Sequence, residues 1–445
     1  MPRALSELVV GEDRICEACG DPDLPELGLV EQDWETDPIP PGDVASTAAG
    51  AVGELELDGV PRGGEVAVGA GSRGIANLPA IVRGVVKGLR DRGYDPFVFP
   101  AMGSHGGATA AGQREQLASL GITEAAVGCP IRASMDVATV GETPGRGVPV
   151  YADARAVAAD AIVPVNRVKP HTSFVGEVES GLAKMLVVGM GKQAGAKTAH
   201  DWAVDWSLSR MVPEITGLLL DELPIPGGVA IVEDERHDTA LIEGVPGSEL
   251  LAREADLLET AYDRLPALPW ADLDVAIVDR VGKDVSGTGM DTNVVGRLPH
   301  FFEPAPDDPT IRRIYARSLT DATHGNAAGI GNADLVHRAV LEAYDPATTL
   351  VNGLTASAVR AQRLPPVVGT DRAGVTAAVA TIGAARADPE SIRMVRATDT
   401  NRLGRLYAST ALVEDARDRD DLRVLAEPEP IEFDGAGEFV APSPE

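Results

Sequence analysis

Four of the six lysines in this 445-residue chain, Lys169, Lys184, Lys192 and Lys197, fall between Asn166 and Trp206, beside His171 and His200. The other thirty-three basic residues are arginines. An amine can deprotonate and form covalent bonds, which a guanidinium does not readily do, so amines gathered in an arginine-using chain are expected to serve chemistry. Two further groups join them. His105 sits in Met102-Gly-Ser-His-Gly-Gly, and Lys283 precedes Ser286-Gly-Thr-Gly-Met-Asp. Arg73 stands in Ala70-Gly-Ser-Arg-Gly. Histidines flanking a substrate can take and give protons near neutral pH, and an arginine suits bidentate capture of a carboxylate or phosphate. His200 reads two ways on spacing alone, as a metal ligand on a rigid helix or as a histidine at the edge of a core. There is no Ser-His-Asp motif, no pair of catalytic carboxylates, no Walker loop and no Gly-x-Gly-x-x-Gly fingerprint.

These residues need elements to hold them. Glu65 to Gly69, Phe97 to Phe99 and Ala161 to Val165 read as short buried strands, and the loops that leave them carry Arg73, His105 and His171. Taken singly, a loop histidine is more often structural than catalytic. The repetition at equivalent places is what favours a site, because ligands of open α/β sheets bind at the carboxyl ends of the strands. Helices are expected from about Ile81 to Leu89, from Ala110 to Leu120, from Gln193 with Ala199, Trp202, Ala203 and Trp206 as its buried stripe, and from Met211 to Leu220. Lys87 falls on the solvated face of the first. Gly53 to Leu57 is a possible edge strand, and Gly228 to Glu233 and Asp274 to Asp279 are further strands. The glycine-rich stretch after Thr323 precedes a helix expected over Asp334 to Ala343, another follows from Asp371 to Ala385, and the segments Leu350-Val-Asn and Ile392 to Arg396 complete the layer. The fold class is α/β, as two Rossmann-like domains with the site in the cleft between them. Residues 1–265 form the first and carry the motifs, residues 271–425 form the second, Leu265 to Trp270 connects them, and residues 426–445 are an acidic, proline-rich tail expected to be extended or poorly ordered.

Composition sets the surroundings. Acidic residues outnumber Lys and Arg by 68 to 39, for a formal charge of −29. A diffuse acidic surface of this kind keeps a protein soluble at very high salt, so the chain reads as a halophilic, cytoplasmic protein. It offers no basic stripe for nucleic acid. No apolar run approaches the length of a membrane helix, and no signal peptide is visible. Cys16 and Cys19 make half of a four-ligand zinc motif; the plainer reading is two small residues in a turn.

The order of an arginine after the first strand, Gly-Ser-His-Gly after the second, Lys-Pro-His after the third, then a lysine and a histidine closing a glycine-rich run, resembles the nickel-dependent lactate racemase family. The resemblance spans about residues 60 to 420, and its specific part lies between Arg73 and His200. It implies an isomerase, a racemase or epimerase of a small anionic 2-hydroxy acid. It also implies a nickel-pincer nucleotide, a pyridinium bis-thiocarboxylate mononucleotide, joined covalently to Lys184. By the same match His200 would bind nickel, His105 and His171 would transfer protons, Arg73 and Lys283 would hold substrate or cofactor, and Ser104 and Gly106 would line the cofactor. The departures at Glu179-Ser-Gly-Leu-Ala-Lys and after Lys283 imply a divergent member whose substrate is not lactate. Two alternatives stay open: a metal-dependent lyase or dehydratase with His105, His171 and His200 as direct ligands, and a non-catalytic cofactor- or ligand-binding protein.

Overall fold

The computed structural model describes residues 5–71, 74–298, 306–386 and 388–444. The chain divides into two compact units, one formed by Thr36–Leu265 and the other by Met1–Glu35 with Pro266–Glu445.

In the Thr36–Leu265 unit the strands of a five-stranded sheet stand in the order Asp95–Pro100, Glu65–Ala70, Ala161–Arg167, Gly227–Glu233, Thr239–Pro246. All neighbours are parallel except the last pair. Alternation along these strands places side chains on both faces. Val66, Val68, Val163 and Ile231 enter one core, and Ala67, Phe97, Ile162 and Ala230 the other. The first core is closed by helix Leu78–Asp91, whose Gly84 and Gly88 let helix Val44–Ala51 come close; a Cβ on Gly84 would stand 2.3 Å from the Ala45 carbonyl oxygen. The second is closed by helices Lys192–Trp206, Leu208–Glu222 and Leu250–Asp263. Of the expected stripe, Ala199, Ala203 and Trp206 are buried and Trp202 is half-buried against the same core, and Lys87 lies exposed with Asp91. Gly53 to Leu57 is not a strand; the 3-10 turns Val52–Glu54 and Leu57–Gly59 occupy the region.

The other unit holds a nine-stranded mixed sheet. Its parallel part includes Thr310–Leu319, Asp272–Val281 and Met394–Ala397, with Leu335–His337 where the sequence reads as helix; the helix begins only at Arg338. Leu350-Val-Asn lies within helix Pro346–Thr355, and the next helix is Asp371–Ala380. Two sequence readings are corrected here. Residues 1–35 do not belong with the first α/β unit: strand Leu27–Gln32 lies between Arg405–Ser409 and Leu422–Glu429, antiparallel to both. Nor is the end of the chain a loose tail. Phe433 and Phe439 pack on the core beneath helix Asp371–Ala380, and Ser443 and Pro444 hydrogen-bond to Asp279 and Thr398.

Candidate functional site

The residues around Lys184 are held by an unusual helix. The short α-turn Leu182–Lys184 runs straight into a π-helical turn, Met185–Gly189, closed by the Met190 N–H donating to the Met185 carbonyl at 2.7 Å. Such π turns are rare and occur often at functional sites. The entry is fixed by a carboxylate from another helix. Glu254, with no exposed surface, accepts the Ala183 N–H at 2.9 Å. A Cβ at Gly181 would stand 2.2 Å from Glu254 Oε1, so only glycine lets the carboxylate reach the helix end. Asn166 closes the other side by donating to the Gly181 carbonyl at 2.7 Å.

Lys184 is half-buried, and its charge is felt by two neighbours. Burial, joined by the Lys184 ammonium, pushes the His200 ring below the ordinary histidine range. Near neutral pH His200 is therefore an uncharged imidazole, the form that can ligate a metal. Burial pushes the Glu179 carboxyl up, and N–H donation from His171 and Gly176, the Tyr262 hydroxyl and Lys184 hold it back. Glu179 in turn fixes the His171 loop through the backbone N–H groups of His171 and Gly176. The His171 ring rests 4.5 Å from Phe174, and its Nδ1 accepts the Ser173 N–H at 3.0 Å. With Nδ1 an acceptor, the neutral ring carries its proton on Nε2. His171 thus presents a donor.

His105 and Ser104 are exposed on the turn after strand Asp95–Pro100. That turn is bolted to the π turn: Gly103 N–H donates to the Gly189 carbonyl at 2.9 Å, and a Cβ on Gly189 would be 2.5 Å from the Ala101 carbonyl oxygen. Gly106 has φ +65°, and its open side faces Gly112, so its role is to turn the chain into helix Ala110–Ser119. The fold therefore hangs His105, His171, Lys184 and His200 on interlocked segments of one unit. Arg73 lies outside the described residues. Lys283 belongs to the other unit, where its Nζ donates to the Gly287 carbonyl at 2.7 Å.

The lysine cluster is less uniform than its spacing implies. Lys197 is an exposed partner of Asp201 one turn away, and Lys192 is a fully buried core residue paired with Asp153 at 2.9 Å. The sequence reading also missed Glu179 and Glu254. Glu254 did leave a signal: it continues the buried series Leu250, Leu257, Leu258 and Ala261, so a glutamate stands in an apolar stripe.

Among the described residues, the one group of three His, Cys, Asp or Glu side chains with ligand atoms within 4.8 Å is His337, Asp371 and Glu438. It clamps the C-terminal segment. The His337 Nδ1 accepts the Ala339 N–H, which leaves the proton on Nε2, facing Glu438 at 3.1 Å, and arginines 317 and 338 hold the two carboxylates. His105, His171 and His200 do not form a second such group among the described residues. Cys16 and Cys19 are free thiols on helix Glu12–Cys19.

Burial pushes Glu254 up to about 7 from an ordinary 4.5, against the N–H bonds from Ala183 and Leu182. The folded protein then keeps this proton to near neutrality while the unfolded chain loses it near 4.5. The resulting stabilisation is complete at low pH and is lost as pH rises from there to about 7, on the order of 3 kcal/mol. Glu254→Gln is always neutral and should remove this pH dependence. Unfolding free energies of the two proteins at pH 5 and pH 8 test it; parallel pH profiles would refute the assignment.

Comparison with known proteins finds no matching family model and no matching curated protein. Among solved structures, a Thermotoga maritima protein determined by the Northeast Structural Genomics Consortium is 15% identical, with a TM-score of 0.46, over 64% of this chain and 72% of its own. The lactate racemase apoprotein from Thermoanaerobacterium thermosaccharolyticum is 12% identical, with a TM-score of 0.41, over 84% of this chain and 89% of its own. No helix among the described residues is long and apolar enough to cross a membrane.

Proposed function

We propose that the chain is a racemase or epimerase of a small 2-hydroxy acid, with Lys184 carrying a nickel-pincer nucleotide and His200 supplying a nitrogen ligand to its nickel. The observation that carries this reading is the pairing of a half-buried lysine on a π-turn helix with a histidine close enough to feel its charge. The donor set fits the group: an amine for covalent attachment and an imidazole kept uncharged by burial. The motif order from Arg73 to His200 supports the same assignment. When bound, the nucleotide supplies the hydride-accepting chemistry that no side chain can provide.

The protein's own part is orientation and proton transfer. His171, held by Glu179 and Ser173, offers its Nε2–H to the substrate oxygen. His105, exposed on the turn, takes the hydroxyl proton as the carbinol becomes a planar 2-keto acid and returns it afterwards. By the motif match, Arg73 would hold the substrate carboxylate. A 2-hydroxy acid deuterated at C2 should therefore yield inverted product that keeps its label, whereas proton abstraction at carbon would exchange the label with solvent. His105→Ala should load cofactor normally and lose about 10² to 10⁴ in turnover. Label washout in the wild-type enzyme, or unchanged turnover in the variant, would overturn the reading.

A further inference from the structure

Lys192 and Asp153 have no exposed surface. The Lys192 ammonium lies 2.9 Å from Asp153 Oδ2, donates to Gln113 Oε1 at 3.2 Å, and also donates to the Pro100 carbonyl. The ammonium thus makes two hydrogen bonds and one ion pair, each to a different segment. Asp153 is fixed independently, since its Oδ1 accepts the N–H groups of Arg155 and Ala156 at 2.8 and 3.1 Å. Gln113 passes the arrangement on: its Nε2 donates to the Gly103 carbonyl at 2.8 Å and approaches the His105 carbonyl at 3.4 Å. Lys192 is also the first residue of the helix that carries His200.

Stability does not explain this pair. Removing two charges from water is costly, and replacing a buried ion pair with apolar groups of similar size is often neutral or stabilising. Burial pushes the ammonium below the ordinary lysine range, and Asp153 only partly restores it. A second feature is independent of the charges: Lys192 has φ +54°, a left-handed backbone that a residue with a Cβ rarely adopts. Backbone held this way persists only where its surroundings over-determine it, and such residues gather at active sites. An apolar side chain could fill the same volume. It could not hold two carbonyl oxygens and a carboxylate from three segments.

We propose that Lys192, with Asp153 and Gln113, is the positioning device that holds the His105 turn against the start of the His200 helix. It acts through hydrogen bonds and touches no substrate. The inference rests on reading His105 and His200 as members of one site, but its main test does not require activity.

The test uses the full chain with Lys192→Met/Asp153→Asn, which removes both charges and keeps an acceptor for the Arg155 and Ala156 amides. Gln113→Met removes both the Lys192 acceptor and the donor to the turn while leaving the Lys192–Asp153 ion pair, and Lys197→Met is the surface control. Hydrogen–deuterium exchange of the peptide covering residues 101–108 should become at least about tenfold faster in the first two variants, with a near wild-type unfolding midpoint, and should not change in the control. In cofactor-loaded enzyme the same variants should lower kcat about 10² with little change in KM, as a misplaced proton-transfer group does. Should the double variant fail to fold, Gln113→Met decides alone. Unchanged exchange at 101–108 in folded Gln113→Met, or faster exchange everywhere in proportion to lost stability, would overturn the proposal. A wild-type enzyme without racemase activity would count against the proposed function and leave the exchange result to judge Lys192.

Discussion

In the proposed racemase, Lys184→Arg is expected to carry no cofactor adduct and to retain less than about 10⁻³ of wild-type turnover, because a guanidinium keeps the charge but cannot make the covalent link. The substitution separates the two things Lys184 contributes. Its charge acts on His200 and Glu179, and arginine preserves that charge; only the nucleophilic amine is lost. Lys184→Met removes both. In that variant the His200 pKa should rise, since a nearby positive charge no longer opposes protonation of the ring. Nuclear magnetic resonance titration of the cofactor-free protein checks the sign. An unshifted His200 in Lys184→Met would mean that the two side chains are not electrostatic neighbours.

The largest expected stability effect lies in the other unit. Asp279, almost fully buried, accepts from Arg317 at 2.9 Å, Arg396 at 3.0 Å and Ser443 at 2.6 Å. Arg396 is only 2% exposed, and the Phe439 ring lies 4.2 Å from its guanidinium and 4.9 Å from that of Arg317. Asp371 serves Arg317, the Tyr315 hydroxyl and the Phe439 N–H. Asp279→Ala leaves Arg396 buried without its counter-ion, which costs about 3–5 kcal/mol, against a typical total of about 5–15 kcal/mol for a domain. Truncation after Glu429 should destabilise the same unit by exposing the two arginines. Trp34 and Trp270 belong to this unit and Trp202 and Trp206 to the other. Tryptophan fluorescence in single-pair variants during denaturant unfolding therefore shows which unit gives way. A wild-type midpoint in Asp279→Ala would contradict the role assigned to the network.

The sequence made the strands legible because runs buried on both faces are almost wholly apolar, as in Ala161 to Val165 and Asp274 to Val278. The turns at Ser104 and His171 followed from where those strands stop. Strand Leu27–Gln32 was harder to see. Its partners lie more than 370 positions away, as in Glu31 with Arg405, and its half-buried alternation carries no sign of which sheet it joins. The lysines misled in an instructive way. Spacing placed Lys184 and Lys192 on the same footing, but Lys192 turns inward to a carboxylate outside the Asn166–Trp206 stretch, Asp153, and only the folded chain brings the two together. The C-terminal segment reads as disorder from its prolines and acids. Its order comes from single contacts, Phe439 between two arginines and Glu438 on Arg338 and His337, which no periodicity announces.

The most direct measurement is the mass and metal content of the full-length protein produced together with the enzymes that make the nickel-pincer nucleotide. The expected result is a modified peptide containing Lys184, one nickel per modified chain, and loss of nickel but not of the peptide adduct in His200→Ala. An unmodified Lys184 under loading conditions that modify a genuine lactate racemase would contradict it.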